Sequence, residues 1–157
     1  MDRRPLAEIN SSGIEILMNI GARPVKKEKI LICDDMSMIR SLVKKSLLAI
    51  GYKNVSEAQD GLDALDKIKT STAEGHSFDV VFIDWDMPRM TGIEVIEFCK
   101  KSDEYKHIPF IMISAERDHK NIVQASKIGA YDYILKPFSP SVLTAKLDKL
   151  KNKKAAA

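Results

Sequence analysis

Asp79-Val-Val-Phe-Ile-Asp84, continuing directly into Trp85-Asp86-Met87-Pro88, carries the reading that decides the architecture of this chain. Four consecutive apolar residues between two acids form the pattern of a strand buried on both faces, as in a parallel sheet. Asp84 then stands at the carboxyl end of that strand. Open α/β sheets gather their chemistry at this edge.

The same pattern repeats on either side. Before it, Lys29–Cys33 is a second apolar run. Ser37–Ile50 follows, with Ile39, Leu42, Val43, Leu47 and Ile50 at helical spacing, and Gly51 as a stop. Asn54–Ala58 reads as a weaker strand. Asp60 is placed to cap a helix carrying Leu62, Leu65 and Ile68, and Ser71–Ser77 reads as a loop. After it, Thr91–Lys101 predicts a helix with Val95, Ile96 and Cys99 inward. Pro109 leads into Phe110–Ser114, another buried strand. Asp118–Ile128 predicts a helix ending at Gly129, and Asp132–Leu135 a fifth strand. Lys136-Pro137 breaks the chain before a last helix, Ser139–Asn152, lined by Leu143, Leu147 and Leu150. Five strand–helix repeats predict an α/β fold, a doubly wound five-stranded parallel sheet of flavodoxin-like (βα)5 type in the order 2-1-3-4-5.

The 157 residues suit one domain. We expect an N-terminal extension over 1–28, the domain over 29–152 and a short tail over 153–157. The extension carries Ile14, Leu17 and Met18 at near-helical spacing, consistent with a short amphipathic helix or a floppy leader. Lys+Arg is 25 against Asp+Glu 22, a net charge of +3, which gives no argument for nucleic acid. The basic cluster Lys146, Lys149, Lys151, Lys153 and Lys154 reads first as favourable charge at a helix C-terminus. No apolar run reaches the ~18–20 residues of a membrane span, and Glu15 and Asn19 interrupt the only candidate signal segment. Cys33 and Cys99 form no CxxC pair and read as buried thiols of a cytoplasmic protein. A monomer is the expected state.

Five side chains gather on one rim in this scheme: Asp34 and Asp35 after the first strand, Asp84 after the third, Ser114 at the end of the fourth and Lys136 after the fifth. Crowded carboxylates repel unless a cation relieves them, and an all-oxygen set suits a hard ion such as Mg²⁺. Asp35 and Asp84 are the direct-ligand candidates. The backbone carbonyl of Asp86 offers a third oxygen, and Asp34 is suited to hold a water of the ion's shell. A carboxylate is also a nucleophile toward phosphorus, and Asp84 ends the most buried strand. Lys136 supplies a mobile cation and Ser114 a hydroxyl donor, the parts phosphoryl transfer needs. Each has a plain alternative: Asp35 as a helix cap, Asp86 as a turn residue, Lys136 as a loop lysine. Four strands ending in suitable groups weaken those alternatives together.

On these residues the chain from about Lys29 to Leu150 resembles a response-regulator receiver domain. The carrying pieces are Asp34-Asp35, Asp84-Trp-Asp-Met-Pro-Arg-Met-Thr-Gly92, Ser114-Ala115 and Tyr133-Ile-Leu-Lys136-Pro137-Phe138. Asp84-Trp-Asp-Met-Pro88, Ser114-Ala-Glu116, Asn121-Ile122 and Lys136-Pro-Phe138 are similar to the CheY-like chemotaxis branch. The resemblance implies phosphorylation of Asp84 by a histidine kinase, with Asp34, Asp35 and Asp84 as the Mg²⁺ cluster. It implies Lys136 on the phosphoryl group, Ser114 and Tyr133 as the switch pair, and Ile122 and Tyr133 on the partner-binding face. It also implies a cis Lys136–Pro137 bond.

Two features depart from the pattern. Asp86 is acidic where chemotaxis relatives often carry Asn, and the segment up to Glu28 has no counterpart in the family core. The sequence carries no helix-turn-helix or catalytic output segment, so the expected output is binding to another protein or onward phosphotransfer, and the chemotaxis resemblance implies a flagellar motor switch protein as the partner. The alternative is phosphate passed to a histidine phosphotransfer domain. The rival from another class is a haloacid-dehalogenase-like phosphatase, whose Asp-x-Asp signature Asp84-Trp-Asp86 also fits. Its motif normally opens the fold, however, whereas Asp34-Asp35 comes first here.

Overall fold

The computed structural model describes residues 25–156; the expected short helix in the extension lies outside them. Five parallel strands, β1 (Ile30–Cys33), β2 (Val55–Ala58), β3 (Val80–Ile83), β4 (Phe110–Ser114) and β5 (Asp132–Leu135), form one sheet in the order β2-β1-β3-β4-β5. Five helices alternate with them: α1 (Ser37–Ala49), α2 (Gly61–Ala73), α3 (Gly92–Lys100), α4 (His119–Ile128) and α5 (Pro140–Ala156). The doubly wound topology read from the sequence is the one observed.

Successive residues of the three central strands serve opposite cores, which is why those strands are apolar throughout. Leu31, Cys33, Val81, Ile83, Phe110 and Met112 point to the side covered by α2, α3 and α4, where Leu65, Ile68, Val95, Ile96 and Ala125 meet them. Ile30, Ile32, Val80, Phe82, Ile111 and Ile113 point the other way, onto Val43 and Leu47 of α1 and Leu143, Leu147 and Leu150 of α5. Burying one such side chain contributes roughly 1.5–3 kcal/mol. Cys33 and Cys99 are buried free thiols, and burial lifts Cys99 to about 11, so neither is an available thiolate.

Helix starts follow local chemistry. Asp60 caps α2 through the Asp63 N–H at 2.8 Å, Thr91 caps α3 through Glu94 N–H, and Asp118 caps α4 through Lys120 N–H. The start of α1 has no side-chain cap on its N-cap residue, Met36; Asp34 accepts from the Met36 N–H instead, so Asp35 is not the cap.

Three local expectations are corrected, and one contact is made by a residue ahead of Lys29. Ser71, Thr72 and Ala73 belong to α2 rather than to a loop, because the buried Ser71 hydroxyl is bonded to the His76 carbonyl and to Lys29. α5 runs past Asn152 to Ala156, through lysines and alanines that favour helix. Leu42 and Leu62 face solvent, since the helix stripe covering a flat sheet is narrower than the apolar spacing suggested. Lys26 already pairs with the fold, bridging Tyr52 and donating its N–H to the Gly51 carbonyl.

Candidate functional site

Strand register builds the site. Cys33 lies beside Ile83, Ile83 beside Met112, and Ser114 beside Leu135. Asp34 and Asp84 therefore leave the sheet at one level, while Ser114 and Lys136 stand further along the neighbouring strands toward the same edge. Asp34 N–H donates to Ala58, Asp84 N–H to Cys33 and Lys136 N–H to the Ser114 carbonyl, at 3.1, 2.9 and 2.9 Å. These bonds extend the ladder by one residue and fix where Asp34, Asp84 and Lys136 project. The place is the crevice between β1 and β3, where the strand order reverses.

One carboxylate oxygen from each of Asp34, Asp35 and Asp84 falls within a common 4.8 Å. Asp34 and Asp84 are buried, whereas Asp35 is exposed. The Lys136 ammonium lies 2.7 Å from Asp34 Oδ2 and 3.2 Å from Asp84 Oδ2. Burial pushes the Asp84 carboxyl above its usual range; Lys136 opposes that and the neighbouring Asp34 adds to it. For Lys136, burial works downward, yet the Asp34 hydrogen bond and the Asp84 charge outweigh it and hold the ammonium above its ordinary value. Three carboxylates face one ammonium, so the cluster remains short of positive charge. Its donors are oxygens only, which fits Mg²⁺ rather than a thiolate- or imidazole-seeking metal.

The remaining expected residues converge around this point. Ser114 is buried, and its Oγ accepts from the Glu116 N–H at 3.1 Å. The Tyr133 hydroxyl donates to the Glu116 carbonyl at 3.0 Å, with the half-buried ring packed against the core. Burial raises the Tyr133 phenol, with the Ser114 hydroxyl beside it opposing. Ile122 and Tyr133 line one shallow cavity of about 200 Å³ between α4 and β5. The Lys136–Pro137 peptide is cis. Asp86 sits exposed in the loop after Asp84, with its side chain outside the acidic cluster.

Two arginines escaped sequence reasoning. Arg40 donates to the Asp34 carbonyl at 2.8 Å while pairing with Glu57 at 3.2 Å, and so braces the acid it faces. A cation near the start of α1, where the helix dipole disfavours it, was the available signal. Arg117 donates to the Lys136 carbonyl at 2.6 Å, tying the loop after β4 to the loop after β5. No local pattern announces that contact.

The response regulator receiver domain family matches residues 30–148. Chemotaxis protein CheY-3 of Vibrio cholerae serotype O1 is 42% identical over 125 residues, 80% of this chain and 92% of that protein. The solved structure of V. cholerae chemotaxis protein CheY4 superposes with a TM-score of 0.69 at 33% identity, covering 80% of this chain and 99% of that one. A CheX–CheY–BeF₃–Mg²⁺ complex from Borrelia burgdorferi gives a TM-score of 0.72 at 25% identity, covering 78% and 88%. No helix among the described residues is long and apolar enough to cross a membrane. With the family matched across the whole sheet, Asp84-Trp-Asp86 is the acidic turn of a receiver and not a haloacid-dehalogenase-like signature. The chain belongs to the response regulator receiver domain family, and its relatives include CheY chemotaxis proteins.

Proposed function

We propose that this chain is a cytoplasmic, monomeric response regulator that accepts a phosphoryl group on Asp84 from a phosphohistidine of its kinase. The observation that carries this reading is the convergence of three carboxylates and the Lys136 ammonium at the end of β3. An Asp84 carboxylate oxygen attacks phosphorus, and an acyl phosphate forms. The P–N bond breaks, its electron pair stays on the imidazole nitrogen, and that nitrogen takes a proton. Lys136 favours the ionised form of Asp84 against the effect of burial and is the cation placed to follow the new phosphoryl oxygens. Asp34, Asp35, Asp84 and the Asp86 backbone carbonyl are the groups that would hold Mg²⁺, which when bound neutralises phosphoryl charge.

Ser114 Oγ accepts from Glu116, so its own hydrogen is available to donate to a phosphoryl oxygen. Such a shift bears on Glu116, and Glu116 is the residue whose carbonyl Tyr133 grips. The switch therefore runs from Ser114 through Glu116 to Tyr133 and the cavity it shares with Ile122. That face is the one we assign to a flagellar motor switch protein. Autodephosphorylation closes the cycle without further turnover.

The test is binding of a motor-switch segment to phosphorylated protein. Ile122→Ala and Tyr133→Ala should each weaken binding while leaving phosphorylation intact. Binding that ignores phosphorylation in the wild type would contradict the reading. Transfer to a histidine phosphotransfer domain, without motor binding, would make the chain a phosphate shuttle.

A further inference from the structure

The loop between β3 and α3 is pinned at its ends and gripped near its middle. At its ends, Gly92 N–H donates to the Trp85 carbonyl at 2.9 Å, and a Cβ on Gly92 would lie 2.0 Å from the Asp84 carbonyl oxygen. Toward its far end, the Met90 carbonyl oxygen lies 2.1 Å from where a Cβ on Gly61 would stand, so the loop backbone lies directly on the start of α2. Between these contacts, Arg89 holds φ at 70°, in the left-handed region that non-glycine residues seldom adopt. In that conformation its guanidinium reaches Asp60 Oδ2 at 3.3 Å. Asp60 is almost fully buried and uses its other oxygen to cap α2.

A stability role does not account for this arrangement. The Arg89 side chain is 62% exposed, and ion pairs with so open a partner contribute little to folding. The pair does, however, join α2 to the one loop that carries Asp86. We propose that Asp60 and Arg89 form a clamp that positions the β3–α3 loop, so that Arg89 is a positioning residue for cation binding at the acidic cluster. This rests on the reading above, in which that cluster takes Mg²⁺ with help from the Asp86 carbonyl. Arg89 touches none of the reacting atoms and acts only through the loop.

Two variants of the full chain separate clamp from scaffold. Arg89→Gly removes the guanidinium and suits the positive φ; Asp60→Asn keeps a good helix cap and removes the charge. The first readout needs no metal: amide hydrogen exchange of Asp86, Met87, Arg89, Met90 and Thr91 in Mg²⁺-free protein. The clamp predicts exchange roughly threefold or more faster in both variants. The second readout is the Mg²⁺ dissociation constant from Trp85 fluorescence. It should weaken about tenfold in each variant, as for other groups that hold a metal ligand in place, and the double variant should be no worse. The thermal midpoint should stay within about 3 °C of wild type. Unchanged exchange in both variants overturns the clamp. Faster exchange with unchanged Mg²⁺ affinity overturns its link to the cluster. If the wild type itself ignores Mg²⁺, the functional reading falls, and the exchange experiment still decides the clamp.

Discussion

Replacing Lys136 by Met, which keeps the length of the stem and removes the charge, should destabilise the metal-free protein by about 3–4 kcal/mol at pH 7. Two routes give this figure. At an effective dielectric of about 20, the 2.7 Å and 3.2 Å contacts to Asp34 and Asp84 are worth about 6 and 5 kcal/mol before desolvation. Desolvation of three ions takes back much of that, and removing one partner of a buried pair costs about 3–5 kcal/mol net. The second route sets a ceiling. A stranded carboxylate can escape by taking a proton, and from the ordinary value of 3.8 that costs about 4 kcal/mol at pH 7. At pH 5 the same escape costs about 1.6 kcal/mol, so the penalty should shrink by half or more. Lys136 itself does not titrate in this window. Its folded value is raised, so the stability it supplies is complete below its ordinary 10.5 and is lost only as pH rises through the higher folded value. The difference between pH 7 and pH 5 therefore belongs to the carboxylates. Urea unfolding of wild type and variant at both pH values, without divalent ions, reads it directly. A loss under about 1 kcal/mol at pH 7, or one equal at both pH values, would refute the reasoning.

Gly61→Ala should cost about 2–3 kcal/mol in urea unfolding, because its Cβ would stand 2.1 Å from the Met90 carbonyl oxygen, a backbone atom that cannot swing aside. A loss below about 0.5 kcal/mol would show that the two backbones are not in contact. Asp132 is held below its usual range: burial pushes it up, but Lys146 at 2.9 Å and the Tyr133 N–H outweigh that. Its stability is present above the ordinary 3.8 and is lost as pH falls through the lowered folded value. Asp132→Asn should thus cost about 1 kcal/mol at pH 7, and the cost should shrink as pH falls through the lowered folded value; a pH-independent difference would contradict this. Asp86→Asn should change the half-life of the Asp84 phosphoryl group, because Asp86 places a second acid two residues from the acceptor. Equal half-lives would sink that idea.

The sheet was legible because its central strands carry nothing but core. Ile30, Val81 and Ile111 are buried whichever way they point, so apolar runs separated by helical spacing leave one plausible topology. The acidic rim was legible for a related reason: strand ends converge, so Asp34, Asp84, Ser114 and Lys136 could be placed together before any distance was known. What stayed hidden was contact between loops. Arg89 and Asp60 are 29 residues apart, and nothing in either neighbourhood signals the other. Arg117 reaches the Lys136 carbonyl across 19 residues with equally little warning. Ser71 looked like loop because its polar neighbours suggested solvent, whereas its hydroxyl is satisfied inside the fold. Helix faces were read too broadly at Leu42 and Leu62, where spacing alone could not say how wide a stripe the sheet covers.

Trp85 adjoins Asp84 and is the only tryptophan in the chain, so its fluorescence reports on the acceptor site without labelling. The most direct test of the account is a titration with Mg²⁺ and then with beryllofluoride, a phosphoryl mimic, using Asp84→Asn and Asp35→Ala as controls. The account predicts a saturable change in each step for the wild type, lost in both controls. A folded wild-type protein that responds to neither addition would contradict a phosphoryl-accepting site at Asp84.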